Sequence, residues 1–535
     1  MKAHTIPYEQ TGFFSTLILD YLKQEKTLNA FYEAFPSIDN FKKQTELKAP
    51  TYSRSQRQLL VRTLEVQYVN TSLSDATAAN IKRLEKASTF TITTGHQLSL
   101  LTGPLYFIFK IVSTIKLCQQ LKKAMPSKDF VPVYWMASED HDFEEISHFS
   151  FKGKKFQWEH PNSGGKVGDL SLDSLQSILD LLTKELPESE SGNQLKEWIN
   201  RSYRSSQTLG EATRSLVNAL FAETGLIILD GDDPDLKKSF IPYFQKELEK
   251  QDCFKETQNQ IEQLQQNYHP SYKPQVTPRE INLFYLSPQK RQRIITHEAG
   301  YQWDGDPRVR SKETMLSLLN DHPENFSPNV LMRPLYQEVL LPNLGYIGGG
   351  GELAYWFQLK SFFESQKVPF PLLILRNSAV LVNGKTVGKM NKLDLRPEDL
   401  FLKRPDLVNK KVQQLSAIDL DLQFLKKELE KNFRHLKGLV KQTDASYEGA
   451  VAAQQQKQFK GIDHLEKRLL RAQKRKLKDQ VERLEKLHES LFPNSGLQER
   501  KANFSTFYLE KGPSLIPQLM ESFDPLKFQF TWIEL

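Results

Sequence analysis

Thr89-Phe-Thr-Ile-Thr-Thr94 decides the fold, because a short β-branched run of this kind predicts a buried strand. Gly95–Gly103 is typical of a loop, and Pro104 opens an apolar, helix-periodic segment that extends to about Leu121. A second apolar run, Phe130-Val-Pro-Val-Tyr-Trp-Met136, predicts the next strand. Together the three segments predict a strand–helix–strand unit of a parallel sheet.

Further segments extend this pattern in both directions. Residues 1–88 look mostly helical, while Gly225-Leu-Ile-Ile-Leu-Asp230 and Pro371-Leu-Leu-Ile-Leu-Arg376 predict more core strands. Tyr346-Ile347 marks a return of the core before a glycine run. Strands that alternate with helices indicate an α/β fold with a mainly parallel sheet. Such sheets bind ligands outside the carboxyl ends of their strands, where the strand order reverses, and this rule predicts the place of the site.

The segment after residue 400 has a different character, because its apolar residues follow three-four spacing among Lys, Arg, Glu and Gln. The residues that set this spacing are Leu422, Leu425, Leu429, Phe433, Leu436 and Val440, then Ile462, Leu465, Leu469 and Ala472. Two antiparallel helices that form a coiled-coil hairpin, with a break near Thr443 to Gly449, are the predicted structure. The aromatic tail Phe528-Gln-Phe-Thr-Trp-Ile533 is expected to dock on the body.

We therefore divide the chain into six predicted regions. They are N-terminal helices with the first half of the core (1–150), an insertion (151–220), a core strand with a second insertion (221–330), the second half of the core (331–400), the antiparallel coiled coil (401–500) and the docking tail (501–535).

Composition narrows the class of protein. The chain has 535 residues, of which 39% are hydrophobic and 26% charged, which fits a soluble protein of two or three folding units. The net charge of +7 is mild, and the Lys and Arg are spread except in a late helical segment, so an acidic or phosphorylated small substrate fits this charge as well as RNA would. We predict small-molecule substrates and no nucleic-acid partner. The distant Cys118 and Cys253 predict no disulfide scaffold and no thiolate zinc site, as in a reducing cytoplasm. No signal-peptide pattern and no run of roughly 18 apolar residues is present, so no membrane association is expected.

The first candidate binding element is the loop from Thr94 to Tyr106, which joins a strand to the start of a helix. Free backbone N–H groups at a helix start favour a phosphate or a carboxylate. Gly95 and Gly103 permit a close approach, and Thr94, His96, Gln97 and Thr102 supply side-chain donors. The loop is neither a Walker A motif nor a GxGxxG motif. A plain strand–helix connection is the alternative interpretation.

The second element is the acidic run Ser138-Glu-Asp-His-Asp142, which follows an apolar strand. Charged side chains at this point must lie in a cleft or at a sheet edge, because burial of an unpaired charge is costly. Glu139, Asp140, His141 and Asp142 are the candidate catalytic residues. They could bind a substrate ammonium, hold Mg²⁺ or act as a general base. The alternative is a solvated turn with acids at a helix N-terminus.

The third element contains Arg333 and the run Gly348-Gly-Gly-Gly-Glu352, with Tyr355-Trp356 after it. Four glycines before a helix leave backbone exposed to a nucleotide or a sugar. Arg333 could pair with a phosphate or a dicarboxylate, and Glu352 could accept from hydroxyl groups. The alternative is a tight turn with a capping glutamate.

These motifs resemble, in order and spacing, those of the bacillithiol cysteine-adding enzyme family, BshC. The resemblance rests on Thr94-Gly-His-Gln97, Leu101-Thr-Gly-Pro-Leu-Tyr106, Ser138-Glu-Asp-His-Asp-Phe-Glu-Glu145, Arg333-Pro334 and Gly348 to Trp356. It covers essentially the whole chain, including the helical hairpin and the returning tail. His96 is a departure, since glutamine is expected there in many relatives, and any role that needs an amide is weakened.

The resemblance implies a Rossmann-like core related to class I nucleotidyltransferases, with connecting-peptide insertions and a coiled coil that forms a homodimer. It also implies a ligase that adds cysteine to glucosaminyl malate by an amide bond in the last step of bacillithiol synthesis. The residues expected to bind substrate or nucleotide are Thr94, Gly95, His96, Gln97, Thr102, Gly103, Tyr106, Arg333, Gly348, Gly349, Gly350, Gly351, Glu352 and Trp356.

Amide formation requires an activated acyl group, and ATP is its expected source, through an adenylate or an acyl phosphate; ADP could also occupy this site. We place the nucleotide across Gly95–Tyr106 and Gly348–Glu352, and an anionic group such as malate on Arg333. Asp140, His141 and Asp142 would hold the cysteine ammonium or the glucosamine amine. Mg²⁺ is compatible with the acidic run, and no zinc is expected.

Two other classes of protein remain as alternatives. A non-catalytic, nucleotide-binding assembly protein would act through its coiled coil, but it would have no evident use for strand-end carboxylates. A tRNA-linked synthetase is disfavoured, because no anticodon-binding module is evident and the basic balance is mild.

Overall fold

The computed structural model describes residues 2–161, 164–442 and 444–535. Its strands are β1 (Lys2–Pro7), β2 (Thr89–His96), β3 (Asp129–Met136), β4 (His148–Phe151), β5 (Lys154–Gln157), β6 (Ile227–Asp230), β7 (Leu283–Ser287), β8 (Lys290–His297), β9 (Gly300–Trp303), β10 (Val309–Arg310), β11 (Phe326–Pro328), β12 (Asn343–Gly348), β13 (Leu372–Leu375), β14 (Ala379–Val382) and β15 (Gln529–Glu534).

The α-helices connect these strands and form most of the C-terminal part. They are α1 (Tyr8–Thr11), α2 (Thr16–Leu22), α3 (Ile38–Lys48), α4 (Arg54–Gln67), α5 (Asp75–Arg83), α6 (Tyr106–Ala124), α7 (Phe143–Ile146), α8 (Gln176–Glu185), α9 (Glu190–Ile199), α10 (Leu209–Phe221), α11 (Pro234–Lys250), α12 (Asp252–Gln263), α13 (Lys312–Asp321), α14 (Arg333–Leu340), α15 (Gly350–Trp356), α16 (Lys360–Gln366), α17 (Gly384–Lys392), α18 (Arg404–Leu415), α19 (Gln423–Val440), α20 (Glu448–Lys476), α21 (Lys478–Leu491), α22 (Phe504–Lys511) and α23 (Leu515–Ser522).

The core is a five-stranded sheet in the order β13-β12-β2-β3-β6, and all its neighbouring strands are parallel. The predicted α/β parallel-sheet fold is therefore confirmed. The chain proceeds from β2 to β3 and β6 on one side, and then returns to β12 and β13 on the other. The strand order reverses between β2 and β12, so a crevice is expected at the carboxyl ends of these two strands.

Helix α6 lies on one face of this sheet and is apolar on nearly all sides. Phe107, Ile108, Phe109, Ile111 and Val112 are all at most 1% exposed. Burial on every side, and not a single amphipathic face, is typical of a helix enclosed between a sheet and other helices. Because α6 cannot tilt or slide without disturbing this packing, it fixes the loop that precedes it.

Two insertions interrupt the core. The first carries the β4–β5 hairpin with α8 and α9. The second carries an antiparallel sheet in the order β10-β9-β8-β7-β11. Its strands β8 and β11 lie near the acidic run, where Arg291 donates to the carbonyl oxygen of Pro328 and approaches His141.

The two ends of the chain meet in a third sheet. β15 lies between β1, with which it is antiparallel, and β14, with which it is parallel. Phe530, Trp532 and Ile533 are fully buried there. The tail is thus part of the body, and it brings the segment that precedes it close to the core.

α19 and α20 form the helical hairpin. Lys426 pairs with Asp463, and Lys437 donates to Gln455 at 2.8 Å, so the contacts converge along the chain as antiparallel helices require. The predicted break lies between Val440 and Glu448; Thr443 itself lies outside the described residues. α21 returns towards α18. Among the described residues, no helix has both the length and the apolar composition needed to cross a membrane.

Candidate active site

A cavity of about 700 Å³ opens where the strand order reverses, and we call it the switch-point cavity. It is bounded by Gly95 at the end of β2, by Tyr346 in β12 and by the start of α15. Arg500, from the segment after the coiled coil, completes its wall. Loops that are more than 400 residues apart in the sequence therefore meet at one edge of the parallel sheet.

Most of the predicted binding residues line this cavity. Those that do are Gly95, His96, Gln97, Tyr106, Arg333, Gly349, Gly350, Gly351, Glu352 and Trp356. The structure thus brings together the strand–helix loop, the arginine and the glycine run, as the rule for parallel sheets predicts.

Four other predicted binding residues have structural contacts and do not line the cavity. Thr94 donates to the carbonyl oxygen of Ile347 at 2.8 Å and joins two strands. Thr102 is 4% exposed. Gly103 has a φ of +63°, and a Cβ there would lie 2.5 Å from the Cβ of Ser99. A Cβ on Gly348 would lie 2.8 Å from Leu353, so this glycine permits close packing of the helix on the strand.

Glu352 is the centre of a polar network at the start of α15. It accepts from the backbone N–H of Gly349 at 2.9 Å and from the hydroxyl of Tyr346 at 2.6 Å. Lys110 lies 2.5 Å from the same carboxylate and also donates to the carbonyl oxygen of Gly95 at 2.8 Å. Burial alone would raise the pKa of Glu352, but the charge of Lys110 lowers it overall. Glu352 therefore caps the helix as an ion and holds both loops together.

Four cationic side chains surround the cavity, and three of them were not predicted. They are Lys110, Arg333, Arg376 and Arg500. Arg376 follows β13 at the same edge of the sheet; its Nη2 donates to Glu499 at 2.6 Å and its Nη1 to the carbonyl oxygen of Asn377 at 3.1 Å. The strand ending at Arg376 was predicted, so its position at the edge was available from the sequence. The convergence of the four cations favours a ligand with several negative charges.

Three buried polar atoms among the lining residues lack a hydrogen-bond partner. They are Nε2 of His96, Nε1 of Trp356 and Nε of Arg376. Buried polar groups are nearly always paired, so three such atoms around one cavity indicate a polar ligand. Burial lowers the pKa of His96 well below its usual value, and the charges of Lys110 and Arg376 add to this effect. His96 is therefore a neutral imidazole at neutral pH.

The acidic run lies beside the cavity, although the predicted catalytic residues 139–142 do not line it, and each of its members has its own partner. Asp140 accepts from Gln97 at 3.2 Å, and Gln97 also donates to Glu145, which lines the cavity. Glu139 lies 2.7 Å from Lys237. Asp142 accepts from the backbone N–H of Glu145 and caps α7, which is the alternative that the sequence left open for this residue. His141 lies 3.2 Å from Arg291, a residue that sequence reasoning missed.

Asp140 is a fixed negative charge. Burial alone would raise its pKa, but hydrogen bonding to His141 and the charges of Arg333 and Arg291 lower the pKa far below its usual range. A carboxylate with so low a pKa is a poor general base at neutral pH, because it does not retain a proton. Its permanent negative charge, next to Gln97, is well suited to bind a substrate ammonium.

A larger cavity of about 1100 Å³ lies on the other flank of β3, and we call it the flank cavity. Ser138, Lys166, Asp230 and Asp232 line it at the strand ends. Ser138 donates to Asp230, and Lys166 lies 2.5 Å from Asp232. Burial and then the charge of Asp232 raise the pKa of Asp230 to about 6. Within the described part of the chain, no predicted site residue lines this cavity.

A metal centre is not evident in the described residues. Within residues 2–161, 164–442 and 444–535, no group of three His, Cys, Asp or Glu side chains is arranged to hold a metal ion. The acidic run instead directs its carboxylates to Lys237, Gln97 and the start of α7.

The parallel sheet and the loops at its switch point define an α/β protein of the Rossmann-like class. Residues 1–377 match the family model described as the N-terminal Rossmann-like domain of bacillithiol biosynthesis BshC, and residues 379–535 match the model of its C-terminal coiled-coil domain. The chain therefore belongs to the BshC family, and the predicted resemblance is confirmed.

Relatives support this assignment over the full length. A protein of Flavobacterium johnsoniae named "Putative cysteine ligase BshC" is 50% identical over 533 residues and covers 100% of each chain. Proteins of the same name from Christiangramia forsetii and Cytophaga hutchinsonii are 49% and 35% identical. They cover 99% and 96% of this chain, and 98% and 95% of the relatives.

Proposed function

We propose that this protein is an ATP-dependent cysteine ligase that adds cysteine to glucosaminyl malate through an amide bond, in the last step of bacillithiol biosynthesis. The observation that carries the proposal is the switch-point cavity, which is lined by four cations and by three residues that each contain a buried polar atom without a hydrogen-bond partner. The reaction needs such a space, because a malate group has two carboxylates and ATP has three phosphates. Membership of the BshC family supports the choice of substrates.

The four cations differ in whether a carboxylate of the protein already pairs with them. Lys110 and Arg376 are each paired with a glutamate, whereas Arg333 and Arg500 have no carboxylate within ion-pair distance among the described residues. We expect Arg333 and Arg500 to bind anionic oxygens of the substrates directly. The residues present therefore fit phosphate and carboxylate groups equally. ATP, when bound, would supply the activation of the cysteine carboxyl group.

The rim at Asp140 and Glu145 would hold the cysteine ammonium. Gln97 lies between the two carboxylates and donates to both, and of the two carboxylates Glu145 lines the cavity. The amine of the glucosamine must lose one proton as the amide bond forms. Neutral His96 is a poor acceptor for this proton, because burial and the charges of Lys110 and Arg376 lower its pKa well below the usual value, so the proton passes to solvent. In our proposal His96 hydrogen-bonds a substrate through its unpartnered Nε2.

The test is to incubate purified protein with ATP, cysteine and glucosaminyl malate, and to measure bacillithiol by mass spectrometry. We expect product only when all three substrates are present. His96→Ala tests the hydrogen-bonding role: it removes the ring nitrogen, so the KM for a substrate should rise, whereas His96→Gln keeps a polar side chain and should stay closer to wild type. Absence of product from folded wild-type protein would refute the proposed reaction.

We further propose that the protein forms a homodimer through the helical hairpin. Phe424, Leu436, Leu439 and Leu465 on α19 and α20 are between 39% and 58% exposed. Apolar side chains spaced along a coiled coil are normally covered by a partner helix. Light scattering should give twice the chain mass for wild type and the monomer mass for Leu436→Glu with Leu439→Glu. A non-catalytic assembly role would instead leave the protein dimeric and without ligase activity.

A further inference from the structure

A short segment that follows the coiled coil reaches back into the switch-point cavity. Residues 498–503, which we call the arm, begin seven residues after α21 ends at Leu491. The arm belongs to the part of the chain that matches the coiled-coil domain, yet its side chains contact the Rossmann-like domain. Its contacts fall on two of the loops that form the cavity.

The first contact is made by Glu499, which is 0% exposed. One carboxylate oxygen accepts from Nη2 of Arg376 at 2.6 Å, and the other accepts from the backbone N–H of Ala379 at 2.9 Å. The neighbouring Gln498 both donates to and accepts from the backbone of Leu381, at 3.0 and 2.9 Å. These side-chain bonds hold the arm against β14.

The pairing with Glu499 determines which nitrogen atoms of Arg376 remain available to a ligand in the cavity. Both Nη atoms are occupied by protein acceptors, and the guanidinium lies 5.0 Å from the ring of Tyr106. The remaining donor, Nε, has no partner and lies 3.7 Å from the point where a Cβ on Gly349 would be. Nε thus lies beside the side-chain-free backbone of the glycine run, where an anionic oxygen of a ligand could bind.

The second contact is made by Asn503, which is 1% exposed. Its Nδ2 donates to the carbonyl oxygens of Leu101 and Gly103 at 2.8 and 2.7 Å. Leu101, Thr102 and Gly103 all have positive φ values, of 46°, 68° and 63°. Non-glycine residues adopt this region at a cost, so bonds to the loop from outside are needed to maintain it. The arm therefore also holds the loop that leads into α6.

Arg500 lies between these two anchors, is exposed and lines the cavity. We propose that the arm is a working part of the binding site: Arg500 binds an anionic group of the substrate directly, and Glu499 is a positioning residue that aims Nε of Arg376 at the same group. This inference rests on the proposed function only for which anion binds. That an anion binds here is argued from the contacts of the arm. It makes the coiled-coil domain a contributor to the site as well as a dimerisation element.

The test uses the full-length protein and two kinds of variant. Arg500→Ala removes an exposed charge, and Arg483→Ala, on the exposed surface of α21, is its charge-matched control. We expect Arg500→Ala to raise about tenfold the KM of the substrate that supplies the anion, ATP or glucosaminyl malate, with little change in kcat or in the KM for cysteine, because one charge-assisted hydrogen bond is lost. Arg483→Ala should match wild type. An unchanged KM in Arg500→Ala would overturn the direct role of this residue.

Glu499→Gln tests the positioning role, since the amide retains an acceptor for Ala379 and loses the charge that holds Arg376. In Glu499→Gln we expect the KM of the same anionic substrate to rise about tenfold. In Glu499→Asp, which keeps the charge, this KM should return part of the way to the wild-type value. A purely structural residue would instead lower the thermal midpoint without separating KM from kcat, and that result would overturn the assignment.

A binding measurement separates this inference from the proposed function. Calorimetric titration with inorganic tripolyphosphate reports anion binding whether or not bacillithiol is made. Weaker binding in Arg500→Ala than in Arg483→Ala would support the arm even if no ligase activity were found. Equal binding by wild type, Arg500→Ala and Arg483→Ala would overturn it.

Discussion

The two cavities at the ends of the core strands differ in a way that volume does not reveal. The flank cavity is the larger, at about 1100 Å³ against about 700 Å³ for the switch-point cavity. Among the described residues, however, no residue that lines the flank cavity contains a buried polar atom without a hydrogen-bond partner, whereas three residues that line the switch-point cavity do. A binding site contains polar groups that a ligand can pair with. Polar groups without a hydrogen-bond partner are therefore a better indication of a binding site than cavity volume is.

The charges of the two cavities differ in the same sense. In the flank cavity Lys166 is neutralised by Asp232, which also lies 2.7 Å from Lys237. At the switch point Arg333 and Arg500 have no such carboxylate partner in the part of the chain that the structure describes. The flank cavity is lined by six carboxylates and three cations, whereas the switch-point cavity is lined by four cations and two carboxylates. The surplus of positive charge at the switch point attracts anions.

The largest expected effect comes from removing a cation of the switch-point cavity. Arg333→Met should lower kcat/KM for bacillithiol formation about a hundredfold, because a half-buried, charged donor to the substrate is lost. Arg201→Ala, which removes a cation that lines the flank cavity, should leave kcat/KM unchanged. Steady-state kinetics on both variants tests the contrast. Equal losses in the two variants would show that the cavities do not differ in function.

A smaller effect is expected at the rim. Asp140→Asn keeps the shape of the side chain and removes its charge, so the KM for cysteine should rise about tenfold. Because the pKa of Asp140 lies far below its usual range, wild type should retain this contribution from neutral pH down to about pH 5. The ratio of variant to wild-type kcat/KM for cysteine, measured between pH 5 and pH 8, should therefore be flat. A ratio that approaches one at pH 5 would mean that Asp140 titrates there and is not a fixed charge.

The strands of the core could be predicted from the sequence, because the preference of each segment for extended backbone depends on residues that are neighbours in the chain. A run such as Thr89 to Thr94 favours extended backbone, and alternation with helices restricts the sheet to a parallel order. The same order implied the edge at which the loops meet. The strand β2 continues to His96, so two residues predicted as loop are extended backbone that ends at the cavity.

Side-chain pairing across long sequence separations could not be predicted in this way. Glu499 and Arg376 are 123 residues apart, and no pattern around either residue indicates the other. Similarly, Gly103 and Gly348 look like ligand-binding glycines in the sequence, but neighbouring side chains leave no room for a Cβ at either position. Asp142 has the residue type of a catalytic acid and serves as a helix cap. These roles depend on which surfaces meet, and only the folded chain determines that.

The smallest expected effect concerns stability at the flank cavity. The pKa of Asp230 is raised to about 6 in the folded protein from an ordinary value of 3.8. Between these two values the folded state binds a proton that the unfolded state does not, so this group destabilises the fold progressively as pH rises from about 4 to 6. Asp230→Asn retains an oxygen to accept from Ser138 and from the backbone N–H of Asp232, and it cannot ionise.

The thermal midpoint of Asp230→Asn, relative to wild type, should therefore increase by about 1 to 3 °C between pH 4.5 and pH 7.5. The kinetic parameters at pH 7.5 should remain within about twofold of wild type, because the flank cavity does not bind the substrates in our proposal. Differential scanning calorimetry across the pH range gives the midpoints. Parallel curves for the two proteins would show that Asp230 has an ordinary pKa, and a large loss of activity would place the flank cavity in the reaction and remove the distinction between the two cavities.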